Sequence, residues 1–260
     1  MKRKNYSFNN LIAGLFLALC NTFALAQTPD VNGIVYVKPA ATGDGSGDSW
    51  LNATDNLQGA IDATGTQKVF VSIGLYNITA YTTMKNNVTI YGGFDPDNGI
   101  DDLSDNRILP NLVANEGSVL DGGNAIAPIR NYQNGLNNTA ILDGFTIKNG
   151  KDVFGGGIYN NGVSPVYRNI VLKDNEANIS GGAIYNENAP VTFTNVIIEN
   201  NTAKYGGGAQ NINANTLFQN VVFRNNTATM ATTGAGGGAI FNQNSNAIFT
   251  NILMENNTTQ

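Results

Sequence analysis

The chain has 260 residues, no histidine, one cysteine and a formal net charge of −5, with only 13% of residues charged. A Ser/His or Cys/His nucleophile and a thiolate or imidazole zinc site are therefore excluded. The lack of a basic run beyond the first residues argues against nucleic acid as a partner.

Lys2-Arg3-Lys4, the apolar run 11–19 and Ala24-Leu25-Ala26 read as the basic start, apolar core and cleavage pattern of a secretory signal peptide over residues 1–26. The run is too short for a membrane anchor, which needs about 20 apolar residues. A lipoprotein signal ending at Cys20 fits less well, because Leu19 stands where a small residue is expected. The exported chain then starts at Gln27 and holds no cysteine, so disulfides are excluded as well.

Residues 35–38 (VYVK) alternate as a strand does, and 40–50 is a Gly/Asp/Ser turn region. Residues 57–63 have the spacing of a short helix. A strand is expected over 68–73, a turn at Gly74-Leu75-Tyr76, and another strand over 88–94. The polar stretch 95–111 reads as a loop excursion, and 118–122 opens a repeat array. Residues 27–115 thus form an N-terminal cap with the first coils, and 116–260 the repeats proper.

Leu142, Tyr167, Phe193, Phe218 and Phe249 occupy equivalent positions, spaced 25, 26, 25 and 31 residues apart, with an insertion near 230–234 in the last interval. Self-similarity at this period marks a solenoid. The segments are short, β-branched and bounded by Gly and Asn, which points to an all-β fold, a right-handed parallel β-helix of about 25 residues per coil. Strand alternation sends Ile170, Val196, Val221 and Ile252 inward, with Leu172, Ile198, Phe223 and Met254. Lys173, Glu199, Arg224 and Glu255 follow on the outside with alternating sign, a device that favours one register. Three asparagine columns are expected: Asn175, Asn201, Asn226, Asn257; Asn160, Asn186, Asn211, Asn242; and Asn169, Asn195, Asn220, Asn251. Stacked amides can bond along the axis, and Asn tolerates left-handed turns.

Gly181-Gly182-Ala183-Ile184 and Gly237-Gly238-Ala239-Ile240, with Phe223-Arg224-Asn225-Asn226, make the chain resemble the polymorphic outer membrane protein family of chlamydial type, whose repeats pair GGA[ILV] with FxxN. Segments 172–175, 198–201 and 254–257 match with another apolar residue for Phe. Gly206–Gln210 departs, through loss of the apolar position or a shift of one residue. The resemblance covers about residues 155–260. It implies a surface-exposed or secreted β-helix, often adhesive, carried through an outer membrane by a C-terminal β-barrel. Residues 256–260 fall in mid-coil, so a further C-terminal region is expected.

β-Helices also host polysaccharide lyases and glycoside hydrolases, so an enzyme acting on an acidic polysaccharide is the alternative. Its candidate residues are Asp143, Arg168, Lys173 and Asp174, with Lys148, Lys151 and Asp152 nearby in sequence. A solvated face with an ion pair explains the same residues. Cofactors are not expected, apart from Ca²⁺ in two acidic loops. These hold Asp44 and Asp48, and Asp95, Asp97, Asp101, Asp102 and Asp105. Turn chemistry explains both loops too. A binding surface is expected where Val171, Ile197, Val222 and Leu253 follow Thr146 as an outward apolar stripe. Tyr159, Tyr185 and Phe241 form a second column, suited either to sugar stacking or to the core. The leading reading is an exported, non-catalytic surface scaffold, an adhesin-like module for surface glycans or cell-surface proteins.

Overall fold

The computed structural model describes residues 26–112, 115–230 and 236–260. The leader segment 1–25 and most of the insertion near 230–234 lie outside the described residues. Among the described residues the fold is all-β with one short α-helix and one 3-10 turn, and every pairing between its strands is parallel.

Three parallel sheets carry the architecture, and none closes into a barrel. The long sheet runs through Ile34–Val37, Lys68–Ser72, Thr89–Phe94, Ile141–Asp143, Val166–Lys173, Thr192–Glu199, Leu217–Arg224 and Ile248–Glu255. A branch joins Gly74–Asn77, Ser118–Asp121 and Phe145–Lys148 to it. Gly74-Leu75-Tyr76 is therefore strand, not turn. Its backbone continues past Gly74, whose φ of 136° suits a residue without a side chain. The second sheet stacks Ile129–Tyr132, Ile158–Asn161, Ile184–Glu187, Ala209–Ile212 and Ile240–Gln243. The third stacks Lys151–Phe154, Glu176–Ser180, Thr202–Ala203, Thr227–Ala228 and Thr258–Thr259.

Each strand thus pairs with its own equivalent one rung later. Tyr167 faces Phe193, Phe193 faces Phe218 and Phe218 faces Phe249, the register read from the spacing. The eight-residue strands are bent. Val166–Lys173 pairs first with Ile141–Asp143 and then with Phe145–Lys148, and the bend falls at Asn169. Asn169, Asn195, Asn220 and Asn251 all hold φ between 52° and 57° there. A second set of corners, Asp174, Asn200, Asn225 and Asn256, does the same with φ of 53–57°. Left-handed backbone costs most L-residues about 1–2 kcal/mol, and Asn and Asp tolerate it best among residues with a side chain. Repeated Asn at corners is the local reason that the chain bends within each long strand and turns again after it.

The main core is an apolar column, with a separate small cluster of Ile34, Phe70 and Phe94 near the first strands. Ile170, Leu172, Val196, Ile198, Val221 and Phe223 are buried, as expected from alternation. Tyr167, Phe193, Phe218 and Phe249 stack with centroids 5.0, 5.3 and 5.5 Å apart and planes within 10°. That separation follows from the strand spacing of about 4.8 Å. The helix Leu57–Asp62, with Asn56 accepting Gly59 N–H at 2.9 Å as its N-cap, puts Leu57, Ala60 and Ile61 into the same column.

Candidate functional site

The asparagine columns are hydrogen-bonded from rung to rung. In the first, Asn175 Nδ2 donates to Asn201 Oδ1 at 3.0 Å, Asn201 to Asn226 at 2.9 Å and Asn226 to Asn257 at 2.9 Å. The backbone N–H groups of Asn175, Asn201 and Asn226 donate to the same oxygens. A backbone N–H can only donate, so it fixes which amide atom is oxygen and gives the column a direction. The second column runs the same way, from Asn131 through Asn160, Asn186 and Asn211 to Asn242. The third runs in reverse, because it ends on a carboxylate. Asn251 donates to Asn220, Asn220 to Asn195, Asn195 to Asn169, and Asn169 to Asp143 at 2.8 Å. Asn131 escaped the sequence reading because its distance to Asn160 is 29 residues, outside the 25–26 period. Tyr167 also joins the second column: its hydroxyl donates to Asn160 Oδ1 and accepts from Asn131. Burial pushes this phenol's pKa upward.

The charged residues named from sequence do not converge on one point. Asp143 is buried between the guanidiniums of Arg107 at 3.3 Å and Arg168 at 3.2 Å. Its Oδ1 accepts from Arg107 and from Asn169, and its Oδ2 is ion-paired with Arg168, so the carboxylate is occupied rather than aimed at solvent. Lys173 lies beyond the bend at Asn169 and pairs with Glu116, which also takes Lys148 at 2.7 Å. The hydrogen bonds from Lys148 and Lys173 hold the Glu116 carboxyl below its ordinary pKa. Lys151 pairs with Glu176, and Asp152 with Arg130. Asp174 is an exposed corner. Arg107 and Glu116 have no counterpart in the repeats, so periodicity offered no signal for either.

Lys173, Glu199, Arg224 and Glu255 stack in register with alternating sign as read, and the ion pair recorded among them is Glu199 with Arg224. Arg224 Nε donates to Glu199 at 2.6 Å. Lys148 and Lys173 are like-charged register partners, and Glu116 bridges them.

The acidic loops are tied into their own turns. Asp44 accepts Ser46 N–H, which lowers its pKa, and Asp48 accepts from Ser49 and Asn52. Asp95 accepts from Asn98, and Asp97 pairs with Lys38 at 2.7 Å. Carboxylate oxygens of Asp101, Asp102 and Asp105 lie within 4.8 Å of one another. Asp105 already accepts the N–H groups of Asp101 and Asp102, and Asp102 accepts from Ser104. Calcium takes six to eight oxygens, and with one oxygen from each carboxylate this trio offers three.

The apolar stripe is graded. Thr146 and Val171 are buried, Ile197 and Val222 are half-buried, and Leu253 is 50% exposed. Thr146 is covered by the chain near Glu116, whose carbonyl accepts its hydroxyl at 2.7 Å. The aromatic column is closed. Tyr159 and Tyr185 are buried and stack on each other at 5.5 Å, with Phe154 against Tyr185 and the Arg130 guanidinium over Tyr159. Their ring faces are occupied by one another. Phe241 lies two rungs from Tyr185, with Gln210 between them.

The corner glycines explain the remaining repeat residues. A Cβ on Gly182 would meet Gly207 O at 2.1 Å, so the stacked corners admit no side chain there. The GGA frame is in register through the departing unit as well. Ala209 pairs with Ile184 and Ile240, so Gly206–Gln210 has a smaller apolar residue and no shift.

Residues 169–187 and 220–243 match the Chlamydia polymorphic membrane protein repeat. Both matched segments of this polymorphic membrane protein repeat start at a left-handed bend, Asn169 and Asn220, and both end in the second sheet. The unit between them is the one with Ala209. No curated protein and no solved structure matches the chain. No helix among the described residues is long and apolar enough to cross a membrane.

Proposed function

We propose that this protein is a right-handed parallel β-helix exported to the cell surface or the outer membrane, where it acts as a non-catalytic, adhesin-like scaffold. The in-register sheets support the β-helix reading. The leader-like sequence at 1–26 and the polymorphic membrane protein repeats support the location. The observation that carries the binding role is the stripe on the long sheet. It is covered by the protein's own chain at Thr146 and opens through Ile197 and Val222 to Leu253. Contact there would be made by several weak apolar side chains in line, flanked by Asn195 and Asn220, and aimed at surface glycans or cell-surface proteins.

The test uses purified protein on intact cells and on a panel of acidic glycans. The scaffold reading expects retained binding that the double variant Ile197→Asp, Val222→Asp removes, with no new reducing or unsaturated ends. Cleavage of an acidic polysaccharide that is lost in Arg168→Ala or Lys173→Ala would overturn it in favour of a carbohydrate-active enzyme.

A further inference from the structure

The long sheet has an unpaired edge in the interior of the sequence. Among the described residues, Gly74–Asn77 pairs only with Ser118–Asp121. Gly74 N–H donates to Gly117 O at 3.1 Å and Ile78 N–H to Asp121 O at 2.8 Å. Successive residues of a paired strand aim their backbone groups at opposite neighbours, so Leu75 and Asn77 point their N–H and C=O groups the other way. Among the described residues no group bonds to them there. Ile34–Val37 pairs with Lys68–Val71, so in a regular coil the residues after Val37 would be the missing neighbour. The sequence diverts them. Lys38 N–H is taken by Thr54 O at 2.9 Å, Pro39 has no N–H, and Ala40 turns away with φ of 55°. The Pro39 ring fills the space beside Gly74, where an added Cβ would meet it at 3.0 Å. The edge is therefore covered at Gly74 and open from Leu75 on.

A preformed groove of about 390 Å³ runs along this edge. It is lined by Leu75, Asn77 and Thr79 from the strand and its turn, and by Asp55 and Gln58 from the start of the helix. The helix side is held in place. Asn56 accepts Gly59 N–H at 2.9 Å, and Gln58 accepts Thr83 N–H at 2.8 Å and donates to Thr83 O at 3.2 Å. A second hollow of about 380 Å³ shares Ala40, Asp55 and Asn56 with the first and carries Asp44. No lysine or arginine lines either hollow, and Lys38 nearby is taken up by Asp97 at 2.7 Å. The groove thus combines free main-chain donors and acceptors with carboxylates as its only charges.

We infer that this groove docks an extended, basic peptide segment of a partner protein, added as a strand to the Leu75–Asn77 edge. Strand addition takes its affinity from main-chain bonds and its specificity from alternate side chains. Leu75 and Asn77 supply two donors and two acceptors. Side chains of the added strand alternate between its faces, so apolar ones point toward the buried Tyr76 and Leu57, and a lysine or arginine stands beside Asp55. Asp55 and Asp44 repel an acidic segment, which fixes the sign of the partner. The inference is independent of the apolar stripe. The column that begins at Leu75 is buried at Val119 and Thr146 before it reaches Ile197.

The probe is a fluorescent hexapeptide of alternating lysine and valine, which can find its register in steps of two. It is titrated into the purified protein by anisotropy, with hydrogen exchange read over residues 74–80. Saturable binding and new protection there are expected. Asp55→Asn should weaken binding by about threefold, the scale of an exposed pair, and a glutamate–valine hexapeptide should not bind. Leu75→Pro removes a donor that no group in the described chain uses, so the fold should hold while binding falls by about tenfold or more. A lysine–valine peptide N-methylated at every residue should not bind the wild type, a result that does not depend on how the variant folds. Absence of saturable binding, binding without protection at 74–80, or equal binding of the acidic or the methylated peptide overturns the proposal. So does a dimer in sedimentation that Leu75→Pro dissolves, since that makes a second copy the occupant.

Discussion

Asn201 is joined to Asn226 twice: its backbone N–H and its Nδ2 both donate to the same side-chain oxygen, at 3.1 and 2.9 Å. The same amide reaches Leu172 O at 3.1 Å. One buried side chain thereby satisfies groups on three rungs.

Replacing Asn201 by Leu leaves Asn175 N–H without its acceptor, takes one of two acceptors from Asn175 Nδ2, which keeps Ile147 O, and removes the amide donor from Leu172 O. Each buried orphan costs about 1–3 kcal/mol. A loss of at least about 3 kcal/mol is expected in urea unfolding. A loss under about 1 kcal/mol would mean that the column contributes little to stability.

Asn200 is exposed and holds φ of 57°. Asn200→Gly is expected to be close to neutral, since Gly accepts this backbone. Asn200→Val is expected to cost about 1–2 kcal/mol or more from left-handed strain. Equal stability of the two variants, measured by denaturant midpoint, would remove the corner explanation.

Phe193 is sandwiched between Tyr167 and Phe218 and fully buried. Phe193→Ala is expected to cost about 3–5 kcal/mol. Phe249→Ala should cost clearly less, because that ring is 40% exposed. The comparison is made by chemical denaturation of the two variants, and the reverse order would contradict the described end of the core.

Glu116 is held below its ordinary pKa by Lys148 and then Lys173. A carboxyl with a lowered folded pKa stabilises the fold above its unfolded value, about 4.3, and loses that contribution as pH falls through the folded value. The melting temperature of wild type should exceed that of Glu116→Gln from neutral pH down to about 5. The gap should close as pH falls below about 4. A gap that persists unchanged at low pH would assign the effect to packing.

Much of the fold was legible because the repeat forces equivalent residues together. The Phe193 period gave the strand register, and the inward set Ile170, Val196 and Val221 followed from alternation. The asparagine columns were visible for the same reason. What was hidden lies off the period. Arg107 comes from the excursion 95–111 and Glu116 from the chain just before Ser118–Asp121, where no period can be counted, and they decide what Asp143 and Lys173 touch. Tyr159 and Tyr185 could not be assigned a side from sequence, because both faces of the second sheet are covered where they sit. The exposure of the stripe was only partly readable: burial of Thr146 depends on that same off-period segment.

The central claim is that the protein stands on the cell surface and makes contact through the stripe. Single cysteines at Ile197 and at the exposed Lys204, placed in a protein whose one cysteine is Cys20, allow labelling of intact cells with a membrane-impermeant maleimide. The account predicts that Lys204→Cys labels on intact cells, while Ile197→Cys labels in purified protein and is protected on the cell. Labelling of Lys204→Cys only after lysis would contradict surface display, and equal labelling of both positions on cells would contradict contact through the stripe.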